Sequence, residues 1–334
     1  MRKRQILPNK NARGAGVFVC ARRIGALLAL ALLTGCAALV PQSEALRESP
    51  PAGIAARTEL DQVPFFPQVE FECGPAALAT VLAAGGVAVT PDDLISQVYI
   101  PERKGSLQVE MLAAARRHGR VSYQLAPRFE DLLREVNAGN PVVVLQNLGV
   151  GPVERWHYAV VVGYDMRERE LALRSGETRR RVLPFPVHEF VWRKSDYWAM
   201  VAVPPDRIPV TAEEGRWLAA VAALERIGNA RDARVAYAAA LARWPESLNS
   251  AIGLANAHYA LGELPRAEAV LRDAARRAPD SIVVQNNLAQ TLSEQGRNGE
   301  ALTLIERAAA SAGPFAAAVA ETRALILKRL AQAK

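Results

Sequence analysis

The chain has 334 residues, half of them hydrophobic, which is enough for two modest domains with cores of their own. Its formal charge of +7 is local: Arg2, Lys3, Arg4, Lys10, Arg13, Arg22 and Arg23, and no acid, fall within residues 1–35. The remainder is near neutral and leaves no electrostatic case for nucleic acid.

The basic stretch ends at Arg22-Arg23, and the apolar run Ile24 to Leu33 follows. Ten residues fall short of the roughly 20 that span a bilayer, so residues 1–35 read as a secretion signal. Leu33-Thr34-Gly35-Cys36 resembles a bacterial lipobox, which implies that Cys36 is lipidated and becomes the new N-terminus. An ordinary signal peptide with an incidental cysteine is the alternative. Ala37 stands where lipoproteins kept in the inner membrane usually carry Asp, so the resemblance implies the outer membrane and a chain facing the periplasm. Cys20 would leave with the signal and Cys36 become a thioether, leaving Cys73 as a lone thiol with no internal disulfide partner. Residues 36–57, with Pro41, Ser43, Ser49, Pro50, Pro51 and Gly53, read as a polar tether.

A first domain is expected over residues 58–204. After Cys73, Pro75 suits a first helical turn, and Ala76, Ala77, Leu78, Val81 and Leu82 carry an apolar stripe to the stop at Gly85-Gly86. A thiol at that helix N-terminus is expected to have a lowered pKa, because the dipole and free N–H groups favour thiolate. The same N–H groups suit an oxyanion, and Gln68 can supply a second, uncharged donor. The base is expected at His157, which opens the β-branched run His157-Tyr158-Ala159-Val160-Val161-Val162-Gly163-Tyr164-Asp165. His118 follows two arginines at a helix end, His188 lies in a proline-flanked loop and His258 falls on a helix of the tail, so these read as structural or solvated.

Four blocks then carry a resemblance over about residues 62–200: Gln68 through Leu78, Lys104-Gly105-Ser106-Leu107 with the helix Val109–His118, Pro141-Val142-Val143-Val144-Leu145, and His157 through Asp165. Together they resemble the papain-like cysteine peptidases of the bacteriocin-processing, double-glycine-leader type. The resemblance implies an α+β papain-like fold and peptide hydrolysis, with Cys73 as nucleophile, His157 as general base and acid, and Gln68 as oxyanion donor. Only four residues separate Gln68 from Cys73, one fewer than in many papain-like enzymes. The family's Asp on the strand after the histidine strand is replaced by Arg174-Ser175-Gly176. Asp165 is no substitute, since eight strand residues separate it from His157 by about 26 Å. If the turn Met166-Arg167-Glu168-Arg169 centres near Arg167, position 159 pairs with 175 and position 157 with 177. Ser175 and Glu177 then share the face of His157, and a slip of one residue would remove both.

A proline-rich joint, Val203-Pro204-Pro205-Asp206-Arg207-Ile208-Pro209, leads through a linker at 205–213 into an alanine-rich tail. There Gly228, Gly262 and Gly296 recur every 34 residues, as do Ala233, Ala267 and Ala301, and Ala240, Ala274 and Ala308. That is the tetratricopeptide period, and Trp217, Gly228, Ala233, Tyr237, Ala240 and Pro245 resemble its signature positions. Three repeats are expected over 214–315, followed by a cap helix at 316–334, with the third repeat departing at Gly313. They suit a protein partner or a spacer. No cluster has metal-ligand spacing, so neither metal nor cofactor is implied. The expected partners are a peptide or protein substrate, a protein at the repeats and the membrane through the lipid. The competing reading is a peptidase-like scaffold that binds peptides and recruits partners. A peptidoglycan amidase would suit the compartment but matches the Cys-Gly-Pro-Ala-Ala-Leu block less well.

Overall fold

The computed structural model describes residues 39–68, 72–310 and 313–332. Cys20 and Cys36 therefore lie outside the described residues. The order of elements is α1 (Pro41–Glu48), β1 (Arg57–Glu59), α2 (Cys73–Ala84), α3 (Asp92–Val98), β2 (Tyr99–Ile100), β3 (Gly105–Ser106), α4 (Gln108–Arg117), β4 (Val121–Gln124), α5 (Phe129–Asn137), β5 (Val142–Asn147) and β6 (Trp156–Asp165). There follow β7 (Glu170–Ser175), β8 (Thr178–Pro184), α6 (Phe185–Trp192) and β9 (Ala199–Val203). The tail is α7 (Glu214–Glu225), α8 (Ala230–Arg243), α9 (Leu248–Ala260), α10 (Leu264–Arg277), α11 (Ile282–Glu294), α12 (Asn298–Ala309) and α13 (Ala316–Gln332). The fold is thus α+β followed by a helical repeat array.

The main sheet is antiparallel, ordered β4-β9-β5-β6-β7-β8, and β1 joins the far half of β6. Strand periodicity sorts its side chains into two cores. Val142, Val144, Ala159, Val161, Ala199 and Val201 face one layer, which contains Phe129 and Leu133 of α5 and Phe185 and Trp192 of α6. Val143, Leu145, Tyr158, Val160, Met200 and Ala202 face the other, built on Leu78, Leu82, Leu94 and Met111 of α2, α3 and α4. Both faces are covered, which is why β5 and β6 read as continuous apolar runs. A Cβ on Gly163 would meet the carbonyl oxygen of Thr58 at 2.7 Å, so glycine is needed where β1 crosses β6.

The proline-bearing stretch expected as a tether contains a docked helix. Glu189, fully buried on α6, accepts hydrogen bonds from the first amides of α1, Gln42 N at 2.9 Å and Ser43 N at 2.6 Å. A carboxylate there satisfies amides that a helix start leaves unpaired. His188 lies on α6 and not in a loop, because Pro184 caps the helix and Pro186 occupies its first turn, where a missing N–H costs nothing. Its ring is fully buried between Phe129 and Trp192, with Nδ1 against Gln146 Nε2 at 3.0 Å. Burial lowers its pKa to about 3, so the imidazole is a neutral core group.

The joint after β9 is docked as well. Thr211 donates its N–H at 2.7 Å and its hydroxyl at 2.6 Å to Glu135, and Glu213 N bonds Tyr123 Oη at 3.1 Å. Trp217, Val221 and Leu224 of α7 then join the same apolar cluster as Val121, Tyr123 and Val203 of the sheet. The later repeats build a separate core from Leu271, Val284, Leu288, Leu292, Ile305 and the cap residues Val319 and Ile326.

Candidate active site

Cys73 is the first residue of α2, with the apolar helix behind it sunk in the second core. Glycine at 74 is required there, since a Cβ would overlap the side chain of Ser106 on β3. The sulfur meets the backbone N–H groups of Tyr158, Gly74 and Cys73 itself. The Tyr158 amide places it one residue along β6 from His157. Both residues line a cleft of about 920 Å³, together with Gln68, Ser106, Trp156, Gly176 and Glu177.

His157 is held from the other side. Its Nε2 lies 2.9 Å from Ser175 Oγ, and Ser175 is buried at the end of β7. The pairing there is the one expected from a turn centred near Arg167, with Val160 opposite Arg174 and Val161 opposite Leu173. Nearer the turn the strands are one residue out of step, with Asp165 opposite Glu170 and Gly163 opposite Ala172. A bulge between Val161 and Gly163 absorbs the difference. Without it His157 and Ser175 would lie on opposite faces. Glu177 lines the cleft, while the hydrogen bond of the imidazole goes to Ser175. Arg174, where the resemblance leads one to seek an acid, points away, donating to the carbonyls of Val63 and Arg179.

Gln68 is clamped by one residue. Its N–H donates to the Gly176 carbonyl at 3.1 Å, and its Oε1 accepts from Gly176 N at 3.0 Å. Only an oxygen can accept from that N–H, so the amide is oriented with Nε2 left for the cleft. The turn that ends β7 thus positions both Ser175 and Gln68. Sequence reasoning missed Gly176, whose φ of +59° suits glycine, although its place in a tight turn before Thr178 was a usable signal. Ser106 was also missed as an isolated feature: its Oγ is buried and has no hydrogen-bond partner among the described residues.

The electrostatics differ from the expected thiolate. Burial pushes the Cys73 thiol up, outweighing the three backbone N–H groups that favour the anion. Burial, then the charges of Arg181 and Arg155, lower His157 to about 4. Thiol and imidazole are therefore both neutral near pH 7. A helix N-terminus lowers a thiol pKa only where the ion keeps enough solvation, and this sulfur has lost much of it. His118 bonds Gln97 at 3.2 Å and His258 bonds Glu263 at 2.6 Å, both away from the cleft.

Residues 60–179 match the model of the Peptidase_C39 like family, and residues 228–286 and 282–312 match two models described as tetratricopeptide repeat. Among solved structures, a C39-like peptidase from Bacillus anthracis is 18% identical, covering 44% of this chain and 97% of that one at a TM-score of 0.38. A double glycine motif protease from an AMS/PCAT transporter, in complex with the leader peptide, is 23% identical, covering 42% and 91% at a TM-score of 0.34. A thermophilic TPR protein of Thermus thermophilus is 21% identical and covers 36% and 72% at a TM-score of 0.32. No curated protein matches the chain. The chain carries a C39-like peptidase-family domain followed by tetratricopeptide repeats.

Proposed function

We propose that this protein is a cysteine peptidase acting through Cys73 and His157, lipid-anchored at Cys36 to the outer membrane and facing the periplasm. The observation that carries the reaction is the single cleft lined by Cys73, His157 and Gln68. Because both groups rest neutral, the thiol loses its proton as it attacks. With Ser175 Oγ accepting from Nε2–H, the lone pair of Nδ1 is the base. The sulfur bonds to the carbonyl carbon while Nδ1 takes its proton, and Gln68 Nε2 with the Cys73 amide hold the oxyanion. The C–N bond then breaks and the imidazolium protonates the leaving amine. Water, deprotonated by the same imidazole, hydrolyses the thioester and restores the thiol.

Cys73→Ala should abolish peptide hydrolysis and leave the circular dichroism spectrum unchanged; hydrolysis at the wild-type rate by that variant would end the reading. The anchor is tested separately: palmitate labelling in cells should be lost in Cys36→Ser, and labelling that persists would remove it. One observation favours a second reading, a peptide-binding scaffold of little or no activity. Neutral Cys73 and His157 are also what an inert pair would show. In that case Cys73→Ala would bind the same peptides as the wild type, which would release them uncut. In either reading the repeats offer a surface for a protein partner.

A further inference from the structure

A second cavity, of about 420 Å³, lies behind His157. It is lined by His157, Ser175 and Gly176 on one side, by Arg155 and Arg181 on another, and by Leu148, Leu183, Val187 and Val191. Arg155, His157 and Gly176 belong to both this cavity and the main cleft, so they form the wall between them. Both arginines are exposed at the rim, and neither guanidinium has an ion-pair or hydrogen-bond partner among the described residues. The two cations thus share a hollow with four branched aliphatic side chains and the His157–Ser175–Gly176 edge. The same hollow opens on the His157–Ser175 contact, where a neutral hydroxyl holds the ring.

We propose that this cavity is a binding site for a carboxylate carried on a short aliphatic body, and that its occupancy activates Cys73 through His157. The carboxylate would lie against Arg155 and Arg181 with its hydrocarbon on Leu183, Val187 and Val191. Two charge-assisted contacts of this kind fix an anion, and a branched aliphatic body fills the apolar walls. An anion there offsets the charges that Arg155 and Arg181 direct at the ring and so favours imidazolium, and with it the thiolate–imidazolium pair. The titratable and charged groups around His157 are then Cys73, Arg155 and Arg181, with Glu154, Glu177, Arg103 and Lys104 elsewhere in the lining of the cleft and the Ser175 hydroxyl against the ring. The activation rests on the proposed Cys73–His157 chemistry; binding does not. The source of the carboxylate is either a free small acid or the C-terminus of the leaving segment of the substrate, since His157 hands its proton to that segment.

The test uses sodium isovalerate on the full chain, with sodium chloride of equal ionic strength and isoamyl alcohol as controls. Isovalerate alone should raise the Tm and speed iodoacetamide alkylation of Cys73 at pH 6 several-fold. Arg155→Gln/Arg181→Gln should lose both responses, and so should Val187→Asp, which sets a fixed carboxylate at the cavity. Equal effects of chloride or alcohol, or a response undiminished in the arginine variant, would overturn the site. A Tm shift without faster alkylation would keep the site and overturn its coupling to His157. Inactivity of the enzyme towards every peptide would defeat the proposed function while the Tm arm still decides the binding. For the source, hydrolysis of peptides ending in a free leucine over their amides, lost in the arginine variant, assigns the leaving segment; stimulation of amide hydrolysis by isovalerate assigns a free acid.

Discussion

The sheet region and the distal repeats hold themselves together by different means. In the sheet, one apolar cluster joins residues as far apart as Leu46, Tyr123, Val201 and Trp217, so no part of it is complete without distant chain. In the distal repeats, each helix meets its neighbours in sequence, and Leu271, Val284, Leu292 and Ile305 form a core from successive helices. The first repeat belongs to the sheet by this measure. The seam is α9, whose Leu254 and Ala257 face the sheet-side cluster while Ala251 and Ala255 face the distal one. The mechanical boundary of the molecule thus falls inside the repeat array and not at the prolines before it.

Three measurements sharpen that contrast. The largest effect is expected from Trp217→Ala, which empties a fully buried site shared by α7 and the sheet and should cost about 3–5 kcal/mol. Urea unfolding read by far-UV dichroism and by exposure of Cys73 should shift together; movement of the helical signal alone would return the boundary to residues 204–209. Ile305→Ala should cost about 2–5 kcal/mol but only within the distal array. Hydrogen exchange should quicken in α11, α12 and α13 and stay unchanged in β5 and β6. The third effect is smaller and depends on pH. His157 and His188 sit in the sheet region with pKa values of about 4 and about 3, below the unfolded value of 6.5. The unfolded chain therefore binds protons first, and stability falls as pH drops from 6.5 through about 4 to about 3. On the proposed chemistry the acid limb of peptide hydrolysis should lie near pH 4 for the same reason, and a limb at 6.5 would show that His157 is better solvated than its burial implies.

The same contrast governs what the amino-acid order reveals. Repeat positions such as Ala233 and Ala267 are set by contact with the next helix, so a fixed period announces them. The helix start at Cys73 and the strand at His157 were legible for similar, local reasons. The partnership of His157 with Ser175 was legible only as one of two candidates, because it depends on a bulge that no turn residue advertises. The clamp of Gly176 on Gln68, the docking of α1 on Glu189 and the cavity behind the histidine join segments about 30 to 150 residues apart, and no local pattern marks such pairings. The rise in the thiol pKa was missed for a related reason: the helix end is a local feature, but the burial that opposes it comes from the whole fold.

The docked α1 has a consequence for reach. On the proposed anchor, four residues, Ala37 to Val40, separate the acylated Cys36 from Pro41, which begins the docked helix. At roughly 3.6 Å per residue the leash is at most about 18 Å long. The folded body would then ride close against the bilayer surface and sweep only a thin shell above it. Chains fixed in that membrane would be within its reach only where they expose a segment inside that shell.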